Sequence, residues 1–177
     1  MFNVSKIRED FPILTREVNG KPLVYLDNGA SSQKPEVVIN AIIQAYKDEY
    51  SNVHRGLHKL SEEATANYEG SRKKVAKFIN CSENEVVFTS GATAALNLVA
   101  YSWGMKNLSA GDEIIITIAE HHANIVPWQI IAEQKNVKIK AAHVDPNSDF
   151  NPEIIRELVT DKTKIIAFPH VSNVLGT

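Results

Sequence analysis

The chain has 177 residues, 44% of them hydrophobic and 23% charged, with a formal net charge of −2. This is globular composition, and acids and bases mix along the chain, which excludes the basic stripe of a nucleic-acid binder. A single cysteine, Cys81, excludes an intrachain disulfide, and without a run of about 20 apolar residues nothing in the sequence reads as a membrane-spanning helix.

The opening stretch MFNVSKIREDF carries acids early and lacks the apolar centre of a secretory signal, so a cytoplasmic protein is expected. In NGKPLVYLDNGASS, Asn19-Gly20 supplies a turn, followed by a short strand and a loop. From Pro35, PEVVINAIIQAYKDEY places Val38, Ile42, Ala45, Tyr46 and Tyr50 on one helical face, with Pro35 suited to a first-turn position. SNVHRGLHK breaks that pattern at Gly56. A second helix is expected from about Leu60 to Phe78, with Arg72-Lys73-Lys74 on a solvated face beside Glu69. Cys81 follows in a polar turn with no local base that would make it a reactive thiol.

From Glu85 the rhythm changes. EVVFT, EIIIT, VKIKAAHV and KIIAFPHV are four β-branched runs of strand length, separated by helix-like segments at 92–106, 126–135 and 152–159. Such alternation predicts an α/β domain with a mainly parallel sheet and flanking helices. The segment after Gly91 is apolar almost all round and is expected to be buried. The domain organisation read from this is an N-terminal helical segment over 1–84 and an α/β domain over 85–177. The last strand runs into HVSNVLGT with no helix after it, so one face or edge of the sheet is expected to stand uncovered, as in an incomplete domain.

Four stretches carry polar chemistry. In FTSGATAALNLVA an apolar run meets a small, polar hinge and then a helical pattern. Gly91, Ala92 and Thr93 suit a phosphate cup, because the first N–H groups of a helix lack acceptors and the helix dipole is positive there. A plain Ser/Thr cap would use the same residues. The dinucleotide and P-loop fingerprints are absent, which favours a single phosphate on a small cofactor. AEHHANIVPW places His121 and His122 at the carboxyl end of another strand, where parallel sheets bind ligands. The two side chains are expected to point in different directions, which makes them poor ligands for a shared metal. Asn173, in HVSNVLGT, is expected on the same rim, as a ligand contact or a turn residue. In NVHRGLH, His54 and His58 are four apart, but Gly56 argues against a helix that would bring them together on zinc. Arg55 suits an anion, or a solvated loop.

Taken in order, YLDNGASSQKP, VHRGLHKLSEEAT, FTSGATAALNLVA, EHHANIVPWQ and HVSNVLGT resemble SufS-type cysteine desulfurases, of the class V aminotransferase group of fold-type I pyridoxal phosphate (PLP) enzymes. The resemblance implies an incomplete large domain of that fold. It implies that Gly91, Ala92 and Thr93 hold the PLP phosphate, and that His121 stacks on the pyridine ring and helps move protons. It implies that Asn173 reaches the ring hydroxyl and the substrate carboxylate, and that Gly29, Ala30, His54 and Arg55 lie near substrate, the last two at a dimer contact. The implied reaction takes L-cysteine to L-alanine, with sulfur passed as persulfide to an acceptor protein for iron–sulfur cluster assembly.

Three departures from the family stand out. The hinge reads Ala92-Thr93-Ala94-Ala95 where the family usually has Thr-Thr-Glu-Gly, which removes one hydroxyl and one acid. Gly29 replaces a usual Ala or Ser. The resemblance also stops before half of the family's length, so the Asp that pairs the pyridine nitrogen, the Schiff-base lysine and the nucleophilic cysteine have no counterpart in these residues. Lys164 and Cys81 match neither motif. The expectation is a desulfurase fragment inactive by itself. The alternatives are a non-catalytic module that pairs with a full-length desulfurase, and a fragment of another class V enzyme such as a selenocysteine lyase or aminotransferase.

Overall fold

The structure is a computed structural model that describes residues 2–144, 151–173, 175 and 176; Val174 and Thr177 of the last motif lie outside the described residues. The chain divides into two compact units, Met1–Val87 and Phe88–Thr177.

In the first unit, helix α1 (Val4–Glu9) starts at Asn3, whose side chain accepts from the Lys6 N–H at 3.1 Å. A hairpin follows, with β1 (Glu17–Val18) antiparallel to β2 (Lys21–Pro22). Asn19 and Gly20 turn it with φ of 54° and 70°, the paired left-handed geometry that Asn-Gly favours. The paired part is shorter than expected, because its one partner is two residues long; Val24 and Leu26 stand exposed. Helix α2 (Glu36–Gln44) runs into a wide π turn at Ala45–Glu49. Pro35 is its N-cap rather than a first-turn residue: its backbone is extended, and its carbonyl opens the helix by accepting from Ile39 N–H. Helix α3 (Lys59–Ile79) ends at Asn80, which takes the left-handed conformation that closes many helices. Among the described residues of this unit only Ser61, Ala76 and Val86 are buried.

In the second unit, α4 (Ala92–Val99) continues through a π turn at Ala100–Gly104 into α5 (Met105–Asn107). This segment is not buried all round. Ala100 and Gly104 are buried, but Leu98, Val99, Tyr101 and Trp103 remain 43–49% exposed. One side of the helix meets core, and Gly104 permits that approach, since a Cβ there would lie 3.2 Å from the Trp128 ring.

Strand β3 (Glu113–Thr117) is buried at every residue. After it come α6 (Val126–Lys135), β4 (Lys138–Ala142), α7 (Glu153–Leu158) and β5 (Thr163–Ala167). The sheet order is β4-β3-β5, all parallel, as the alternation of elements requires. Period-two geometry sends Ile114 and Ile116 into a core with Ala100, Leu108, Trp128 and Ile131. The run Glu85–Thr89, expected as a strand, pairs with neither sheet edge among the described residues. Val86 is extended, but β-branched composition alone does not supply a neighbouring ladder.

On the other face of β3, Glu113 is buried with its carboxylate bound by Lys140 Nζ at 2.7 Å and by the Thr160 hydroxyl at 2.5 Å. Hydrogen bonds from Lys140 and Thr160 outweigh burial and hold this carboxyl below its ordinary value of 4.5. A lowered folded-state value means that stability is fully present above 4.5 and is lost as pH falls through the lowered value. Glu113→Gln is therefore expected to flatten the acid limb of the thermal midpoint, followed by circular dichroism from about pH 7 down to about pH 3.

Candidate functional site

The second unit brings two of the sequence-derived stretches together. Gly91 is the N-cap of α4, with φ 158° and ψ 176°, a region that is essentially glycine-only. No side chain caps the helix. Thr89 Oγ1 instead donates to the Gly91 carbonyl at 3.0 Å, and the same carbonyl accepts the Ala95 N–H. The plain Ser/Thr cap is thus not what these residues form. The amides of the first turn, at Ala92 and Thr93, open on an exposed surface, with the exposed Thr93 side chain beside them.

α4 packs against the short 3₁₀ turn His122–Asn124, which carries the histidine pair. His121 is the N-cap of that turn, and its Nδ1 accepts from the Ala123 N–H at 3.1 Å. The neutral imidazole therefore holds its proton on Nε2. The two rings do not diverge as expected. They stack, with centroids 4.9 Å apart and planes 9° from parallel. His121 is extended and His122 opens the 3₁₀ turn, so the side-chain directions of a regular strand or helix do not apply at this junction.

The turn is anchored from below. Trp128 Nε1 donates to Asn124 Oδ1 at 2.9 Å, Asn124 Nδ2 donates to Glu120 Oε1 at 2.7 Å, and the His121 N–H donates to Glu120 Oε2 at 3.1 Å. Trp128 and Glu120 are buried. Neither Glu120 nor Asn124 stands out when only the histidines of the motif are considered. Their signal is the spacing of Glu120, Asn124 and Trp128, four residues apart each time.

Asn173 is exposed in the turn after β5. The residue that fixes that turn is its neighbour Ser172, 3% exposed, whose hydroxyl donates to the Ala119 carbonyl at 2.9 Å and accepts from the Leu175 N–H at 3.2 Å. The loops after β3 and β5 are tied together by this bond. No sequence periodicity marks Ser172. Close by, Thr117, Val144, Phe168 and Leu175 line a cavity of about 250 Å³. On the helix side, a cleft of about 530 Å³ lies between Leu96, Trp103, Trp128, Lys164 and Phe168.

The remaining candidates lie in the first unit. Gly29 and Ala30 form a turn in which the Ala30 N–H donates to the Asp27 carbonyl. Nothing lies within 4 Å of a Cβ built on Gly29, so the usual Ala or Ser would fit. His54 has φ 68°, held by its N–H donating to Thr65 Oγ1 at 2.9 Å. Its Nε2 lies 2.8 Å from Glu69 Oε1, and its ring meets Tyr68 edge-on. Arg55 is exposed beside it. His58 turns away and caps α3, its Nδ1 accepting from the Ser61 N–H. Gly56 is needed here, since a Cβ on it would sit 2.4 Å from the Ser61 Cβ.

Arg72 departs from the solvated face expected for it. It is 18% exposed and binds Glu69 Oε2 at 2.9 Å, with its guanidinium over the Tyr68 ring. Burial raises the Glu69 carboxyl, but hydrogen bonds from Arg72 and His54 outweigh it and leave the group below the ordinary value. Among the described residues, no group of three or more His, Cys, Asp and Glu comes together to hold a metal.

These features fit a phosphorylated aromatic ligand: free first-turn amides for the phosphate, and an imidazole ring with one plane-parallel neighbour for the aromatic body. Residues 24–177 match the protein family described as Aminotransferase class-V. The chain is 53% identical over 171 residues to a probable cysteine desulfurase of Synechocystis sp., covering 96% of this chain and 41% of that one. It is 51% identical over 177 residues to a cysteine desulfurase of Salmonella newport, covering 99% and 44%. Among solved structures it is similar to the apo cysteine desulfurase of Thermococcus onnurineus NA1, with a TM-score of 0.89 and 35% identity over 99% of this chain and 42% of that one. The cysteine desulfurase CsdA of Escherichia coli gives 0.81 and 36%, over 100% and 43%. The chain thus spans about two fifths of the length of the relatives it matches.

Gly91→Ala would place a side chain in the glycine-only region, and is expected to lower stability by about 1–3 kcal/mol in urea denaturation, without a steric clash to add to it.

Proposed function

The chain belongs to the class-V aminotransferase family, and from that premise we propose that it supplies the cofactor-holding face of a PLP-dependent cysteine desulfurase. The observation that carries the proposal is the uncapped, exposed N-terminus of α4 packed beside the His122–Asn124 turn. One helix end offers amides and positive dipole to a phosphate, and the neighbouring turn offers an aromatic ring to the body of the same molecule.

In this reading the amides of Ala92 and Thr93 and the Thr93 hydroxyl bind the phosphate. The loss of one hydroxyl and one acid from the usual hinge weakens that grip without removing the main-chain donors. His121 lays the ring face opposite His122 against the pyridine, and its Nε2–H is the proton it can hold toward a reacting carbon or sulfur. Asn173 orients the ring hydroxyl and the substrate carboxylate, and Ser172 fixes the turn that carries it. In the first unit, Gly29, Ala30, His54 and Arg55 keep the substrate-proximal assignment that the family resemblance gives them, and Glu69 holds the His54 ring. When bound, PLP supplies the electron sink that lets a bond to sulfur break. In a whole enzyme of the family type, a cytoplasmic dimer, a cysteine thiolate that these residues do not supply would attack the sulfur of L-cysteine. The S–S bond of a persulfide would form as the C–S bond breaks to leave L-alanine, and the outer sulfur would pass to an acceptor protein for iron–sulfur cluster assembly. This chain alone is expected to be inactive.

The binding face is tested without turnover. Titration of the 177-residue chain with PLP, followed by tryptophan fluorescence, is expected to saturate, whereas pyridoxal without its phosphate does not over the same range. Thr93→Val is expected to weaken PLP about ten-fold, the value of one hydrogen bond to a charged group. Equal binding of PLP and pyridoxal, or an unchanged Thr93→Val, would refute the phosphate assignment.

A further inference from the structure

The histidine turn is built more firmly than exposed residues require. Glu120 places a buried carboxylate between two donors, the His121 N–H on Oε2 and the Asn124 amide on Oε1. Asn124 then passes the chain of hydrogen bonds to the buried Trp128 indole. Each atom in the series has one matching role. Trp128 Nε1 can only donate, Asn124 Oδ1 accepts and Nδ2 donates, and both Glu120 oxygens accept. Direction along the series is therefore fixed, and its far end is the backbone of His121. Two residues further on, the Ala123 N–H donates to His121 Nδ1. The register of residues 120–124 thus decides both where the imidazole plane lies and which of its nitrogens carries the proton.

We infer that Glu120 and Asn124 are positioning residues for His121: anchored on the Trp128 indole, they hold the turn in the one register that presents the imidazole flat, with its proton on Nε2. The inference rests on the cofactor reading for its functional meaning, but its geometry is testable without ligand.

The chemistry of the series supplies a matched pair of variants. In Glu120→Gln one accepting oxygen becomes an NH₂ group that faces a donor, so the series breaks. In the double variant Glu120→Gln/Asn124→Asp the roles are re-paired: Trp128 donates to Asp, Gln donates to Asp, and the His121 N–H donates to the Gln oxygen. The imidazole ¹⁵N shifts of His121 in the ligand-free 177-residue chain report the tautomer. Wild type is expected to show the Nε2–H form, E120Q a mixture of tautomers, and E120Q/N124D a return to the Nε2–H form. PLP affinity is expected to follow the same order, with E120Q weaker by several-fold and the double variant recovered. A His121 tautomer unchanged in E120Q, or a folded double variant that stays mixed, would overturn the proposal.

If E120Q does not fold, the wild-type chain still decides the question by hydrogen exchange. The Trp128 indole and His121 amide hydrogens are expected to be protected together. A His121 amide that exchanges as fast as an unbonded surface amide would overturn the assignment. A wild-type chain that passes these ligand-free tests but does not bind PLP would sink the cofactor reading instead, so the two failures are distinguishable.

Discussion

Strand β3 is hydrogen-bonded along both of its edges, to β4 on one side and β5 on the other, and the rim of the second unit follows from that pairing. A strand fixed on both sides and buried at every residue has no freedom to slip, because a one-residue shift would exchange Ile114 and Ile116 with Glu113 and Ile115. The loop that leaves its carboxyl end therefore starts from a rigid point. Ser172 transfers that rigidity to the loop after β5 through the Ala119 carbonyl, and Trp128, itself part of the core, transfers it to the histidine turn. Polar residues on an exposed rim are held by bonds that begin in the apolar interior.

The electrostatic arrangement follows the same logic in both units. Glu113 is taken out of water only where Lys140 and Thr160 meet its oxygens, and Glu69 is flanked by Arg72 and His54. Glu120 differs, since its partners are a main-chain amide and a neutral side-chain amide rather than a cation. A carboxylate bound this way contributes direction more than charge pairing, because it accepts at both oxygens and cannot donate while ionised.

Much of this architecture could be read from the sequence. The β-branched runs EIIIT, VKIKAAHV and KIIAFPHV, separated by helix-like segments, announced a parallel sheet, and the Asn19-Gly20 pair announced its hairpin. Periodicity reports which way side chains face in a regular element, so it misleads where elements end. It gave Glu85–Thr89 a strand character that no ladder among the described residues completes, and it let His121 and His122 diverge when the junction between extended and 3₁₀ backbone stacks them. It also overstated burial for the helix after Gly91, since composition cannot tell how many sides of a helix are met by other elements. Motif resemblance identified the chemistry-bearing stretches, but it drew attention to the histidines and the asparagine and away from Glu120, Asn124 and Ser172, whose work is to hold those residues in place.

The strand order has a consequence for how the chain is made. β3 sits in the middle, yet its second partner, β5, pairs with it from about fifty residues further on: Glu113 aligns with Thr163. At translation rates of 5–20 residues per second, that delay is roughly 2–10 s. During that time the emerging polypeptide carries the EIIIT run with the side that β5 will cover unmatched, and β4 is its partner on the other side. Ribosome-bound synthesis of this unit thus passes through an interval in which a strand destined to be buried at every residue depends on chaperone shelter or on the early packing of Trp128 and Ile131.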